Sequence, residues 1–270
     1  MAEILSLSAG YCTHPACMAL KGAGLKNRCF PSRAYLIQSK RGNYLWDTGY
    51  AEHFMDAARG IYSIYPWVTP ISFDPHQSVL NQLKNLGIHA SDLQAIIVSH
   101  FHADHIAGLL DFPGIPVICD IESWQSIQNL SGLFALRKAF LPGLIPTDIS
   151  GRLSFMQNLN KQQLPTALHP FEYGWDLTGD GEIFLISLPG HASGHIGAFV
   201  ERADGWKLLA SDAAWDEEAY TNLQGPSELT FLIQDSRKDY YKTLHKLHEL
   251  HQKGDVKIML THQPFESVTP

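Results

Sequence analysis

No stretch of eighteen apolar residues occurs in the chain, so no transmembrane helix is expected. The first residues hold no basic segment followed by a long apolar run, which argues against a secretory leader and makes the cytoplasm the expected location. Cysteine is scarce: Cys12, Cys17, Cys29 and Cys119 are the only four, and in a chain of 270 residues they make a disulfide framework an unlikely basis for the fold. Lysine and arginine form no run, and the formal net charge is −7, so there is no electrostatic case for nucleic acid. Internal repeats and low-complexity linkers are also absent.

What is present is apolar patterning. At 45% hydrophobic and 17% charged residues, the chain can build a sizeable core. Short apolar strands alternate with amphipathic helices, which predicts a layered α/β architecture in a single domain over 1–270. Ala34–Ser39 and Tyr44–Trp46 read as a strand pair turning through Arg41-Gly42-Asn43, and the second strand runs into Asp47-Thr48-Gly49. A helix is expected over about Pro75–Leu86, with Asp74 as its N-cap and Gly87 as its stop. Further strands are expected at Ala95–Val98, Pro116–Cys119, Ile183–Leu188, Ala198–Glu201, Lys207–Ala210 and Val256–Leu260. Asp120 is read as the cap of a helix running to about Leu130, and a last helix spans about Asp235–Gln252. Residues 131–175, rich in Leu, Phe, Pro, Gln and Asn, read as a partly helical insertion that covers a site.

The chemistry concentrates where strands end. His100-Phe101-His102-Ala103-Asp104-His105 follows directly on the strand Ala95–Val98. Imidazole and carboxylate are ligands for zinc, manganese, iron and cobalt. In extended backbone, His100 and His102 point to one side and can grip one ion, while a turn aims Asp104 and His105 at a second. Pro189-Gly190-His191-Ala192-Ser193-Gly194-His195 follows another strand, Ser211-Asp212 a third, and Thr261-His262 the last. Each piece alone is weak; four strand ends that each deliver ligand-type residues are hard to dismiss as loop polarity.

Other groups compete for attention. Cys12-Thr13-His14-Pro15-Ala16-Cys17 lacks the second Cys/His pair of a soft metal site, so loop packing near the pocket is the better reading. His245, His248 and His251 repeat at intervals of three, not the spacing of a zinc-protease helix, and read as a polar helix face. His195 reads as a loop stabiliser. Aromatic residues in Ile61–Trp67 serve either a pocket wall or the core.

The order HxHxDH, Pro-Gly-His, lone Asp, C-terminal His resembles the metallo-β-lactamase fold superfamily, and Asp47-Thr48-Gly49 matches its upstream motif. The resemblance runs from about residue 34 to residue 262. It implies an αββα sandwich with a dinuclear site at one edge. On that likeness, His100, His102 and His191 hold one divalent ion, Asp104, His105 and His262 the other, Asp212 bridges them, and Asp47 orients a ligand. Two ions, zinc foremost with manganese, iron or cobalt compatible, would supply a bridging hydroxide, and Asp104 would shuttle protons as the catalytic residue. The complete ligand set resembles N-acyl-homoserine lactonases and glyoxalase II thioesterases, whereas class B β-lactamases lack an aspartate and a histidine of it. The expected partner is therefore a small lactone or carboxylic ester; a thioesterase or phosphodiesterase, and a metal-dependent sensor without turnover, are the alternatives. One departure stands out: lactonases of this type carry a tyrosine three residues after the bridging aspartate, and here that place holds Trp215, with Tyr220 as a possible substitute.

Overall fold

The computed structural model describes residues 1–263. A first sheet contains β1 (Glu3–Pro15), β2 (Asn27–Ser39), β3 (Gly42–Trp46), β4 (Ile71–Ser72), β5 (Leu93–Ile97), β6 (Val117–Cys119) and β7 (Leu153–Phe155), in the spatial order β4-β1-β2-β3-β5-β6-β7. A second contains β8 (Asn160–Gln163), β9 (Tyr173–Asp176), β10 (Ile183–Ser187), β11 (Ile196–Arg202), β12 (Gly205–Ser211) and β13 (Val256–Leu260), in the order β13-β12-β11-β10-β9-β8. The first sheet is antiparallel through β1–β2–β3 and parallel through β3–β5–β6–β7. The second is antiparallel except for the parallel pair β12–β13.

Strand alternation assigns the layers. Side chains point to opposite faces at successive positions, and in β2 Tyr35 and Ile37 join Trp46, Ile97, Ile183, Leu185, Ala198 and Leu209 in a core between the sheets. Their neighbours Ala34 and Leu36 face the other way, against Phe54, Leu83, Ile106 and Leu109. In β10, Phe184 and Ile186 likewise turn outward and pack with Leu244, Leu247 and Leu250. The helices therefore lie on both outer faces of two stacked sheets, which is the αββα sandwich expected. Along the chain they are α1 (His53–Ala57), α2 (Ile64–Val68), α3 (Val79–Asn85), α4 (Ala103–Ile106), α5 (Ile121–Ile127), α6 (Gly132–Arg137), α7 (Glu217–Thr221) and α8 (Arg237–Lys253).

Several elements differ from the sequence reading, each for a local reason. The long β1 was not anticipated: its Ser, Gly and Thr residues blur the alternation, and pairing with β2 from Glu3–Gln38 to Pro15–Asn27 sustains it. The helix expected over 75–86 is broken at Ser78, whose side chain caps α3 by accepting from Asn81 N, while Asp74 caps only a single 3-10 turn at Pro75–Gln77. Asp120 does cap α5, through a bond from Glu122 N. The last helix starts at the cap Ser236 and ends at Gly254, whose φ of 77° lies in the left-handed region. Residues 131–175 hold α6 but also β7, β8 and β9, which extend both sheets. β8 (Asn160-Lys161-Gln162-Gln163) is an edge strand with no apolar side chain, so hydrophobic periodicity is blind to it.

Candidate metal centre

Five strand ends converge on one edge of the sandwich. β5 delivers Ser99, His100 and His102, and α4 follows at once with Asp104 and His105. The loop after β10 delivers His191, β12 runs into Asp212, β13 into His262, and β3 into Asp47. All eight of these histidine and aspartate side chains are buried. Two of the junctions are strained: Asp47 (φ 55°) and Ser211 (φ 49°) lie in the left-handed region, where a non-glycine residue persists only if its surroundings fix it. The path to His191 needs glycine. A Cβ on Gly190, at φ 129°, would sit 2.1 Å from Tyr240 N.

The predicted residues meet in two groups. His100, His102 and His191 bring their ring nitrogens together, with His191 Nε2 3.2 Å from His100 Nε2 and 3.0 Å from His102 Nδ1. Asp104, His105 and His262 form the second group, with Asp104 Oδ2 3.5 Å from Nε2 of both histidines. Asp212 lies between them. Its Oδ1 is 3.3 Å from His105 Nε2, and its Oδ2 is 3.0 Å from His262 Nε2 and 3.4 Å from His191 Nε2.

A buried network sets the tautomers. Ser99 Oγ donates to Asp47 Oδ2 at 2.7 Å and lies 3.0 Å from His100 Nδ1, so His100 turns Nε2 toward the group. Asp47 Oδ2 also holds His105 Nδ1 at 2.8 Å, while Oδ1 accepts from Ser99 N. His262 Nδ1 donates to the Pro31 carbonyl at 2.8 Å. In each case the pairing of one ring nitrogen presents the other, which is how metal-binding imidazoles are oriented. Ser211 Oγ donates to Ser99 Oγ and lies 3.2 Å from Thr261 Oγ1. His195 meets its expected loop-stabilising role: Nδ1 donates to the Leu188 carbonyl, and Nε2 accepts from Asp212 N.

Charge divides the two groups. Burial pushes the His100, His102 and His191 imidazoles down, His102 to about 3. Burial acts the same way on His105 and His262, yet there the aspartates outweigh it and raise both rings. Asp212 is held well below its ordinary range: burial opposes this, and His262 and His105 prevail. His105 Nε2 and Asp212 Oδ1 face each other at 3.3 Å without an aligned hydrogen bond, and among the described residues His191 Nδ1 is buried with no hydrogen-bond partner. Buried polar atoms of that kind are rare without a counterpart, and inward-facing imidazoles beside carboxylates are a donor set suited to divalent cations. The residues fit two such ions.

A cleft of about 540 Å³, its open mouth included, leads to the second group. Asp104, Asp212 and His262 form its floor, and Cys12, His14, Phe30, Tyr50, Tyr65 and Trp215 form much of its wall. Sequence reasoning treated Cys12 and His14 as loop packing; pairing along β1 is what brings them to the cleft. Within Ile61–Trp67 both readings hold, since Tyr65 lines the cleft while Tyr62 Oη accepts from Gly132 N. His248 Nδ1 donates to the Tyr220 carbonyl, away from the site. The supporting hydroxyls were missed, although a signal was available: Ser99, Ser211 and Thr261 each directly precede a predicted ligand.

The sequence model of the metallo-beta-lactamase superfamily matches residues 27–262. The chain belongs to the metallo-beta-lactamase superfamily. Among curated members of the superfamily, an N-acyl homoserine lactonase AttM of Agrobacterium fabrum (strain C58) is 28% identical over 244 residues, covering 87% of this chain and 82% of its own. A probable metallo-hydrolase of Mycobacterium tuberculosis, Rv2300c, is 24% identical over 93% of this chain and 79% of its own. An N-acyl homoserine lactone hydrolase solved with N-hexanoyl-L-homoserine at its catalytic metal centre shares the fold with a TM-score of 0.73, at 18% identity over 96% of this chain and 92% of that one. AidC, a dizinc quorum-quenching lactonase, shares it with a TM-score of 0.67 at 15% identity, over 98% and 88%.

Within this superfamily site, neither expected stand-in for the lactonase tyrosine is free to act as one. Trp215 lines the cleft, but its indole N–H donates to Asp212 Oδ2 at 2.8 Å. Tyr220 is buried in α7 among the residues packed on α8 and does not line the cleft.

Proposed function

We propose that this protein is a single-domain, metal-dependent hydrolase that opens a lactone or cleaves a related small carboxylic ester. The observation that carries this reading is the placement of Asp212, which contacts a group of three histidines on one side and an Asp-His-His group on the other. In this reading His100, His102 and His191 hold one divalent ion, and Asp104, His105 and His262 hold the second. Asp212 serves both. Zinc suits these ligands best, and manganese, iron and cobalt are compatible. When bound, the ions supply Lewis acidity and bring a water pKa down to roughly 7.

The chain's own residues do the rest. Asp47 and Ser99 fix the tautomers of His105 and His100. Asp104 faces the cleft and accepts no hydrogen bond at its carboxylate from any described residue, which supports reading it as the group that takes and returns a proton. Phe30, Tyr65 and Trp215 give the cleft apolar surface that excludes water from an organic ester. The named lactonase relatives support the lactone, and the free state of all four cysteines supports a cytoplasmic location. Among the described residues no helix is long and apolar enough to cross a membrane.

The test pairs metal analysis of the purified protein with a panel of lactones, thioesters and phosphodiesters. Two ions per chain with lactone turnover is the expected outcome. Two ions with turnover confined to thioesters or phosphodiesters would move the substrate class, and stoichiometric binding with no turnover would indicate a sensor. Failure to bind any divalent ion would overturn the reading.

A further inference from the structure

Trp215 stands between β12 and α7 with its ring against the site. Its indole lies edge-on to His191 and His262, with centroids 5.6 and 5.9 Å away, and to Phe30 at 6.4 Å. The N–H reaches Asp212 Oδ2 at 2.8 Å. That oxygen is the one facing both His191 and His262, while Oδ1 faces His105. A partial rotation of the carboxylate about its last bond would take both oxygens out of these contacts, whereas a half-turn merely swaps two equivalent oxygens. An indole N–H can only donate, and unlike a hydroxyl it has no rotor of its own. Its direction is therefore fixed wherever the ring is fixed.

The ring is fixed from behind. Arg28 pairs with Asp216 at 2.5 Å, donates to the Trp215 carbonyl at 3.4 Å, and lies over the Phe30 ring with its guanidinium 4.8 Å from the centroid. β2, which carries Arg28 and Phe30, is thereby tied to the segment that carries Trp215. The contrast with Asp104 is direct. No indole or hydroxyl reaches that carboxylate, and among the described residues it meets only His105 and His262 Nε2, each at 3.5 Å.

We propose that Trp215 is a positioning residue for Asp212: its N–H holds the plane of the carboxylate so that one oxygen faces each histidine group, and so sets the geometry of both metal positions. The proposal rests on the dinuclear reading given above. It concerns the N–H and not the bulk of the ring.

The experiment replaces the N–H alone. Benzothienylalanine at position 215 keeps the fused ring and substitutes sulfur for the N–H; Trp215→Phe is the genetically simpler companion. Each protein is loaded with cobalt, and the readouts are the visible cobalt spectrum, the rate at which a chelator removes each ion, and kcat and KM on the best lactone of the panel. Both variants are expected to bind two ions with shifted cobalt bands, to lose one ion about 10–100-fold more readily, and to lose kcat by a similar factor with little change in KM. A benzothienylalanine protein whose cobalt bands and ion retention match the wild type, with kcat within about twofold, would overturn the positioning role. Should Trp215→Phe fail to fold, the near-isosteric variant still decides. Wild-type protein that takes up only one cobalt ion defeats the dinuclear reading itself, an outcome distinct from a wild type with two ions that is indifferent to the N–H.

Discussion

The two histidine groups lie a carboxylate apart yet live in different electrostatic worlds. Around His100, His102 and His191 the nearest carboxylate is Asp212, and burial outweighs its pull and keeps the imidazoles neutral. Around His105 and His262, Asp104 and Asp212 overcome the same burial and favour the protonated rings. The first group is therefore three neutral imidazoles whose ring nitrogens the fold crowds to within 3.0–3.2 Å of His191 Nε2. The second is a set of charges that already compensate one another. On the dinuclear proposal, a divalent ion would relieve the crowding of ring nitrogens in the one and would replace protons in the other.

The largest effects should come from breaking either group. His191→Ala and His262→Ala are each expected to cost more activity than the about 10–100-fold that losing a supporting partner costs. Metal analysis should find one ion fewer in each, and cobalt spectra should show a different ion lost. If both variants lose the same ion, the division into two groups fails. Next in size, Asp47→Ala removes the acceptor of the His105 Nδ1 bond and should lower metal affinity or turnover about 10–100-fold, with the His102–His191 side retained in the cobalt spectrum. Equal loss of both ions would mean that Ser99, which links Asp47 to His100, couples the groups more tightly than the separate charges suggest.

Gly190→Ala probes the first group through its backbone. The added Cβ would collide with Tyr240 N at 2.1 Å in a conformation that disfavours side chains, so a loss of at least about 1–3 kcal/mol is expected in chemical denaturation. A stable variant with normal ion content would show that the His191 loop is less constrained than its packing indicates. The smallest effect concerns Asp235, which accepts from Lys138 and Ser193 beside that loop. Burial would raise its carboxyl, but the bonds from Lys138 and Ser193 hold it below the ordinary value. A depressed carboxyl contributes stability above the unfolded-state pKa, about 3.9, and loses it as pH falls through the lower folded value. Asp235→Asn should therefore lessen the loss of stability below about pH 4 and leave the slope near neutrality unchanged. An unaltered acid limb in denaturation curves would remove Asp235 from that account.

Much of this was legible before any coordinates. Strands β3, β5, β10, β12 and β13 are apolar runs that stop at ligand-type residues, and the predicted bounds lie close to those found. The polar edge strand β8 was invisible because it buries no side chain, and β1 was obscured by small residues that only its partner strand explains. Cys12 and His14 were legible as neighbours of the pocket but not as strand residues, since their place on its wall depends on the β1–β2 register. Ser99, Ser211 and Thr261 were in view and went unread, because a hydroxyl next to a ligand acquires meaning only when several such hydroxyls meet.

Residue type and spacing by themselves determined the inventory of the site and the family it belongs to, because ligand chemistry and strand-end placement are local properties of the chain. Which ring nitrogen faces inward, and what Trp215 does with its N–H, were decided by the tertiary structure. Those properties depend on contacts between residues as far apart as Pro31 and His262, or Asp47 and Ser211, and no local pattern encodes them.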